Sequence, residues 1–125
     1  MSRLQPPDPV SFLPLSPQTF QILLSLHDAP LHGYAIILDI GERTGGDMRL
    51  TASTLYDALA RLLDHGLIVE ASNADQREKT AVDISAAANA RRRYYTLSPL
   101  GRDVAAAEAR RLERLVAMAH TKLVR

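Results

Sequence analysis

The sequence predicts a mainly α-helical fold with a small β-hairpin. Apolar residues recur at helical spacing in four segments, and the first and the last of these open on a Ser-Pro pair that is typical of a helix start. Two short runs rich in β-forming residues stand between the third and the fourth segments. A length of 125 residues, with 46% hydrophobic and 23% charged residues, is sufficient for one compact globular domain.

A proline-rich arm is predicted over residues 1–15. Five of the seven prolines fall within the first 17 residues, which predicts an extended arm rather than a helix. Four apolar side chains in the arm are suited to docking, either on this domain or on a partner subunit: Val10, Phe12, Leu13 and Leu15.

The first two helices have clear start and stop signals. Ser16 is predicted to cap the first helix with Pro17 at its first position, and residues 28–30 end it. The second helix is predicted over about residues 32–44, with isoleucines facing inward and the glycine pair at 45–46 stopping it.

The third helix and the hairpin follow. Thr51 is predicted to cap the third helix, which ends at residues 65–66, where glycine suits a left-handed position. Residues 67–70 and 93–97 are the predicted strands. Residues 71–92 connect them and have no convincing period, so this segment is predicted to be a loop.

The last predicted helix is long enough to need a partner. It begins at Ser98-Pro99 and continues almost to Arg125, and about 26 residues at about 1.5 Å each give roughly 39 Å. A domain of this size has a radius of gyration of only about 13 Å. The overhanging apolar stripe therefore predicts a homodimer. The residues predicted in its interface are Phe12, Leu112, Leu115, Val116, Ala119 and Leu123.

The order of these elements is that of a winged helix-turn-helix domain, predicted over residues 16–97 with the wing at about 71–92. Residues 98–125 are predicted to be a dimerisation helix. On such a scaffold the third helix enters the DNA major groove and the wing reaches phosphates or the minor groove. The sequence therefore predicts a DNA-binding protein.

The net charge of +1 is low for a DNA-binding protein, but this value is an average over two parts of the chain with opposite charge. Residues 1–71 contain four basic and eight acidic side chains, a balance of −4, whereas residues 72–125 contain 11 basic and six acidic ones, a balance of +5. Because few cations are available to phosphates, we expect weak affinity for random DNA and a shallow dependence on salt.

Nine side chains are candidates for DNA contact, by hydroxyl donation to bases or phosphates or by arginine contact to phosphates. They are Tyr34, Thr51, Ser53, Thr54, Tyr56, Arg61, Arg91, Arg92 and Arg93. Other roles stay open for some of them. Tyr34 is either a packing residue or a phosphate donor beside a helix N-terminus. Arg61 either pairs with Asp57 or reaches the DNA backbone. The three arginines also fit a solvated cluster that protects a sheet edge from aggregation.

Five segments together resemble the PadR family of transcriptional regulators, over about residues 16–102. The segments are Leu31-His32-Gly33-Tyr34-Ala35-Ile36, Thr44-Gly45-Gly46, Leu50 to Leu62, His65-Gly66-Leu67-Ile68, and Arg91 to Arg102. The resemblance implies a dimeric winged-helix repressor of a palindromic operator that a small effector releases, with the tail similar to the single dimerisation helix of the short subfamily. The chain departs from the family in its longer wing. It also has no Trp, whereas some short members of the family bind planar drugs between two tryptophan side chains.

Other classes of function have less support in the sequence. The absence of cysteine excludes thiolate chemistry, and no set of catalytic residues or metal ligands has the required spacing, so neither an enzyme, a metal site nor a cofactor is expected. No apolar run is long enough for a membrane span, and we expect a cytoplasmic protein. Two alternatives remain. One is a sensing module that binds a small apolar effector in a pocket lined by residues such as Phe12 and Met118. The other is a winged-helix protein-interaction module without operator binding.

Overall fold

The computed structural model describes residues 7–71 and 93–124, so the predicted wing and the candidates Arg91 and Arg92 lie outside the described residues. The helices are α1 (Pro17–Ser25), α2 (Gly33–Arg43), α3 (Ala52–Asp64) and α4 (Pro99–Leu123), and the strands are β1 (Leu31–His32), β2 (Ile68–Ala71) and β3 (Tyr94–Leu97). The prediction of a mainly α-helical fold with a small β-hairpin is confirmed, and the hairpin belongs to a three-stranded antiparallel sheet.

Three helix starts are fixed by local capping. The side chains of Ser16, Thr51 and Ser98 each accept a hydrogen bond from the backbone N–H three residues later, as the sequence predicts. Gly66, just beyond α3, has a φ of 76°, which is the left-handed conformation expected after a helix.

The prediction that the N-terminal arm contains no helix is wrong. Residues Pro9–Phe12 form a 3-10 helix, in which the Asp8 carboxylate accepts the Val10 N–H at 3.0 Å. Proline at the first helical position is compatible with a helix start, because the missing N–H would have no partner there. Phe12, Leu13 and Leu15 are partly buried against the domain's own core.

The sheet has a third strand that the sequence does not predict. Its order is β1-β3-β2, with both pairs antiparallel. Strand β1 consists only of Leu31 and His32, which pair with Tyr95 and Tyr94. Two residues are too few to show an alternating pattern, so the pairing depends on the tertiary structure.

The core lies between the first three helices, the sheet and the first half of α4. Its fully buried side chains include Ile22, Leu23, Leu26, Ile36, Ile40, Leu55, Leu59, Leu67, Ile68 and Val104. Gly101 allows α4 to approach β2, because a Cβ at this position would clash with the Leu67 carbonyl oxygen and lie 3.0 Å from the carbonyl carbon. This carbonyl also accepts the Ser98 N–H at 3.0 Å.

The second half of α4 leaves the core. Helix α4 is buried at Gly101, Val104, Ala105, Ala107 and Glu108. From Glu113 to Val124 every side chain is exposed except Ala119, which is half-buried. None of the helices in the described residues has both the length and the apolar character that crossing a bilayer requires.

Candidate nucleic-acid interface

Helix α3 presents one continuous polar face to solvent. Leu55, Ala58, Leu59 and Leu62 are buried on one side. The opposite side exposes Ser53, Tyr56, Asp57, Ala60, Arg61 and Asp64, at the three- and four-residue spacing of a single helix face. The structure therefore brings the predicted residues Ser53, Tyr56 and Arg61 onto one accessible surface.

Thr51 and Thr54 are engaged in the cap of α3. The Thr51 hydroxyl accepts the Thr54 N–H at 3.1 Å and donates to the Thr54 hydroxyl at 3.0 Å. Because Thr54 Oγ1 accepts in this bond, its own hydrogen stays available for a further acceptor. Thr51 is exposed and Thr54 is half-buried, so both side chains stand at the rim of the α3 face.

Tyr56 joins the α3 face to the start of α2. A Cβ built on Gly33 would clash with the Tyr56 hydroxyl and lie 2.6 Å from Cζ, so the phenol ring packs directly on the first residue of α2. The neighbouring Tyr34 is 64% exposed and Tyr56 is 48% exposed. Two tyrosines thus flank the N-terminus of α2, where free backbone amides favour anions.

The ends of β2 and β3 that flank the predicted wing adjoin the same region. Arg93 forms an ion pair with Glu70, with 3.4 Å between Nη1 and Oε2. Burial raises the pKa of the Tyr95 hydroxyl, and the nearby Tyr56 and Glu70 add to this increase, whereas a hydrogen bond from Arg93 opposes it. These interactions link α3 to both strands. Three residues of this region are absent from the sequence-based candidates: Tyr95, Glu70 and Gly33. Each interacts with residues that are distant in the sequence, so no local pattern indicates its role.

His32 connects the start of α2 to the sheet. Its Nδ1 accepts the Ala35 N–H at 3.3 Å, which makes His32 the N-cap of α2. The ring meets the Tyr94 ring edge-on, with 5.4 Å between centroids. The described residues contain no cluster of three or more groups able to hold a metal ion.

A polar network sets the position of α2 against α1. The Arg43 guanidinium donates to Asp39 at 2.8 Å and to the Ser25 hydroxyl at 2.6 Å, and Ser25 donates to Asp39 at 2.7 Å. Burial tends to raise the pKa of Asp39, but the hydrogen bonds from Ser25 and Arg43 outweigh burial and lower it. The network holds the helix whose first turn carries Tyr34.

The α3 face has few positive charges. Arg61 is its only cation among the described residues, beside the acidic Asp57 and Asp64, and Arg61 and Asp57 form no ion pair with each other there. This arrangement fits a surface that makes contacts through hydroxyl groups more than through charge.

The residues predicted for dimerisation fall into two groups. Phe12 packs against its own core and its ring lies 6.0 Å from that of His65. The rest belong to α4, where Leu112 and Ala119 are half-buried and three large apolar side chains are exposed: Leu115, Val116 and Leu123.

A buried carboxylate attaches the N-terminal arm to α4. Glu108 is 2% exposed, accepts two hydrogen bonds from Arg111 at 2.7 and 2.9 Å, and accepts the Leu15 N–H at 3.4 Å. The bonds from Arg111 lower the pKa of Glu108, against the opposing effect of burial. Beside this contact lies a cleft of about 370 Å³. Its lining residues are Val10, Leu13, Pro14, Ala107, Arg110, Arg111 and Arg114, and they do not include Phe12 or Met118.

Comparison with known proteins identifies relatives of both the sequence and the fold. Residues 22–107 match the model of the transcriptional regulator PadR-like family. The fold is similar to that of a transcriptional regulator from Clostridium thermocellum, with a TM-score of 0.63 and 22% identity over 88% of this chain and 99% of that chain. No curated protein matches the sequence.

Two further solved structures share this fold. A PadR family transcription regulator from Clostridium difficile has a TM-score of 0.62 and 22% identity over 86% of this chain and 97% of that chain. PadR from Bacillus subtilis, solved in complex with operator DNA, has a TM-score of 0.53 and 24% identity over 72% of this chain and 45% of that chain. The winged-helix fold predicted from the sequence is therefore confirmed.

Proposed function

Because the chain belongs to the PadR-like family of transcriptional regulators, we propose that it is a homodimeric winged-helix regulator that binds operator DNA. The observation that carries this proposal is the continuous surface formed by the exposed face of α3, the start of α2 and the base of the wing. Tyr56 touches Gly33 at the start of α2 and acts electrostatically on Tyr95 of β3, beside the exposed Glu70 and Arg93, which supports a single contact surface across these three elements.

Helix α3 is the element that we propose for the major groove. Its first turns carry Ser53 and Tyr56, which offer hydroxyl groups to base edges or phosphates, and Tyr56 also offers an apolar ring edge to a thymine methyl. Thr51 and Thr54 stand at the rim of this face, where contact with the DNA backbone is expected. In helix-turn-helix docking, residues near the N-terminus of the recognition helix contact the bases.

Phosphate contact is proposed for Tyr34 and for the arginine triplet. Tyr34 is exposed beside the first turn of α2, whose amides provide a favourable site for an anion. Arg93 stands at the base of the wing, and Arg91 and Arg92 precede it in sequence. Arginine suits phosphate because it makes two parallel hydrogen bonds. Arg61 would contact the backbone from the far end of the α3 face.

The proposed dimer uses the second half of α4. Leu115, Val116 and Leu123 project from a segment that has left the core, and an exposed apolar stripe of this kind is typical of an interface. A two-fold dimer would present two copies of α3 to a palindromic operator, with half-sites about one helical turn, or a multiple of it, apart.

Repression and release by a small effector are the most specific parts of the proposal. An operator-bound dimer would block transcription, and a small ligand with an apolar body would release it. The cleft between the arm and α4 supports this part, because four apolar residues line it beside three arginines and α4 itself forms one of its walls. A ligand at 100 times its dissociation constant would stabilise the protein by about 2.7 kcal/mol, so a thermal-shift screen tests it.

Gel-shift titration tests DNA binding directly. The probes are the DNA upstream of the protein's own gene and a random duplex of equal length, at about 50 and about 200 mM salt. We expect tighter binding to the upstream DNA and a shallow salt dependence. Tyr34→Phe should weaken binding to both probes, and Thr121→Ala, which removes a hydroxyl from α4, serves as its matched control. Equal affinity for the two probes would disprove operator recognition.

A further inference from the structure

One acidic side chain stands inside the proposed DNA-binding surface. Glu70 forms an ion pair with Arg93 across the two strands at the base of the wing. Both side chains are substantially exposed, Glu70 at 47% and Arg93 at 67%. Arg93 is the one arginine of the triplet that the structure describes, and its guanidinium is engaged in this ion pair.

The register of the sheet fixes the side on which Glu70 lies. Glu70 pairs directly with Tyr95, and directly opposed residues of an antiparallel pair project from the same face of a sheet. Ile68 and Leu97, which are also opposed, face the core on this side. The Tyr95 side chain interacts electrostatically with both Glu70 and Tyr56. The Glu70 carboxylate therefore lies at the edge of the core that adjoins α3, within the surface proposed for DNA.

We propose that Glu70 restrains DNA binding by pairing with Arg93, so that this arginine reaches a phosphate only by leaving the carboxylate. The proposal rests on the DNA-binding function inferred above. In this role Glu70 sets the strength of the contact between Arg93 and the DNA phosphates, and Glu70 itself recognises no base.

The strength of the pair fits this role. An ion pair between exposed side chains is weak in water, so it lowers the availability of Arg93 without fixing the side chain permanently. A phosphate competes well for the same guanidinium, because it offers a bidentate, charge-assisted contact. Glu70 also carries a negative charge that repels phosphates approaching the base of the wing. The pairing and the repulsion both weaken DNA binding, but only the pairing requires Arg93.

The contact is independent of base sequence. Phosphates carry no sequence information, so a stronger contact from Arg93 raises the affinity for every duplex by the same factor. Glu70 is therefore expected to lower affinity for operator and random DNA equally. This restraint adds to the scarcity of cations on the α3 face and keeps the protein from accumulating on random DNA.

A double-mutant cycle on Glu70 and Arg93 tests the proposal. Wild type, Glu70→Gln, Arg93→Gln and the double variant are titrated with the upstream DNA and with a random duplex, at about 50 mM salt, where the electrostatic contribution is large. We expect Glu70→Gln to bind both duplexes three- to ten-fold more tightly. In the Arg93→Gln background the same change should give less than a two-fold gain. Asp103→Asn removes an exposed acid from the first half of α4, away from the proposed dimer interface, and should change affinity by less than two-fold.

Each result has a defined meaning. A gain from Glu70→Gln that is as large in the Arg93→Gln background as in wild type shows that the carboxylate acts by repulsion alone and overturns the proposal, as does no gain in the wild-type background; a smaller gain without Arg93 supports it. The backbone pairing of β2 with β3 does not require the carboxylate, so unchanged thermal melting of Glu70→Gln is the check on folding. If wild type binds the two duplexes equally, operator recognition fails, while the cycle on random DNA still decides the role of Glu70.

Discussion

The phenol ring of Tyr56 packs on the backbone of Gly33, in the space where any other residue would place its Cβ. This contact joins α3 to the first turn of α2, which carries Tyr34. It also explains why glycine is needed there, since the φ of Gly33 is not positive and the restriction comes from the ring rather than from the backbone.

Replacing Gly33 by alanine should separate folding from DNA binding. The new methyl group would displace the Tyr56 ring, and because this ring is half-exposed it can swing into solvent at little energetic cost. We expect the free energy of unfolding to change by less than about 1 kcal/mol. DNA affinity should fall about ten-fold, which corresponds to the loss of about 1.4 kcal/mol of contacts. Urea unfolding and gel-shift titration give the two values.

Gly41→Ala is the matched control for this variant. Gly41 lies in the same helix, and a Cβ there would meet nothing within 4 Å apart from the backbone of its own helix and its chain neighbours. Alanine is the better helix former, so the variant should be more stable by about 0.5–1 kcal/mol with unchanged DNA affinity. Equal DNA affinities of the two variants would show that Tyr56 takes no part in binding.

Gly101→Ala should instead destabilise the fold. Its methyl group would meet the backbone carbonyl of Leu67, which cannot move away as a side chain can, because it also accepts the Ser98 N–H. Overpacking of this kind costs about 1–3 kcal/mol, and we expect the upper end of that range. Urea unfolding measures the loss, with Gly41→Ala again as the control. A free energy of unfolding equal to that of wild type would contradict the close approach of α4 to β2.

Glu108 should make stability depend on pH at the acidic end. Its folded-state pKa lies below the ordinary value of 4.5, because Arg111 stabilises the charged form. The stabilisation is therefore fully present above the ordinary pKa and is lost as the pH falls through the lowered pKa. Glu108→Gln should lower the free energy of unfolding by about 1–3 kcal/mol near neutral pH. On acidification the difference from wild type should shrink towards zero.

Urea titrations at neutral pH and at several acidic pH values measure this dependence. Glu113→Gln is the control, since Glu113 is exposed on the same helix and forms no ion pair in the described part of the chain. A constant difference between wild type and Glu108→Gln at every pH would show that the carboxylate contributes through packing rather than through its charge.

The dimer should depend on the exposed apolar stripe of α4. Val116→Glu places a charge in the proposed interface without touching the core, because Val116 is 56% exposed in the single chain. Burying an unpaired charge should raise the dimer dissociation constant at least about 30-fold, for a cost of about 2 kcal/mol. Sedimentation or light scattering over a dilution series gives the constant.

Ala117→Glu provides the control for dimerisation. Ala117 is the next residue and is exposed on a different face of α4. This variant should assemble like wild type. If both variants assemble equally well, the interface lies elsewhere.

Much of the fold could be predicted because its signals are local. The caps Ser16, Thr51 and Ser98 each bond an amide only three residues away, so a short stretch of sequence contains both partners. The same is true of the left-handed Gly66 after α3. The polar face of α3 was also predictable, since helical periodicity alone separates its buried side from its exposed side.

The sequence by itself therefore determined the four α-helices, the caps that begin three of them and the winged-helix order, together with the candidate residues on α3. Only the tertiary structure decided how these parts meet. Strand β1 exists because β3 is beside it, Tyr56 has a fixed place because Gly33 leaves room for it, and Arg93 is restrained because Glu70 lies across the sheet. Contacts between residues far apart in the chain have no local pattern, since they form only when packing of the core brings their elements together.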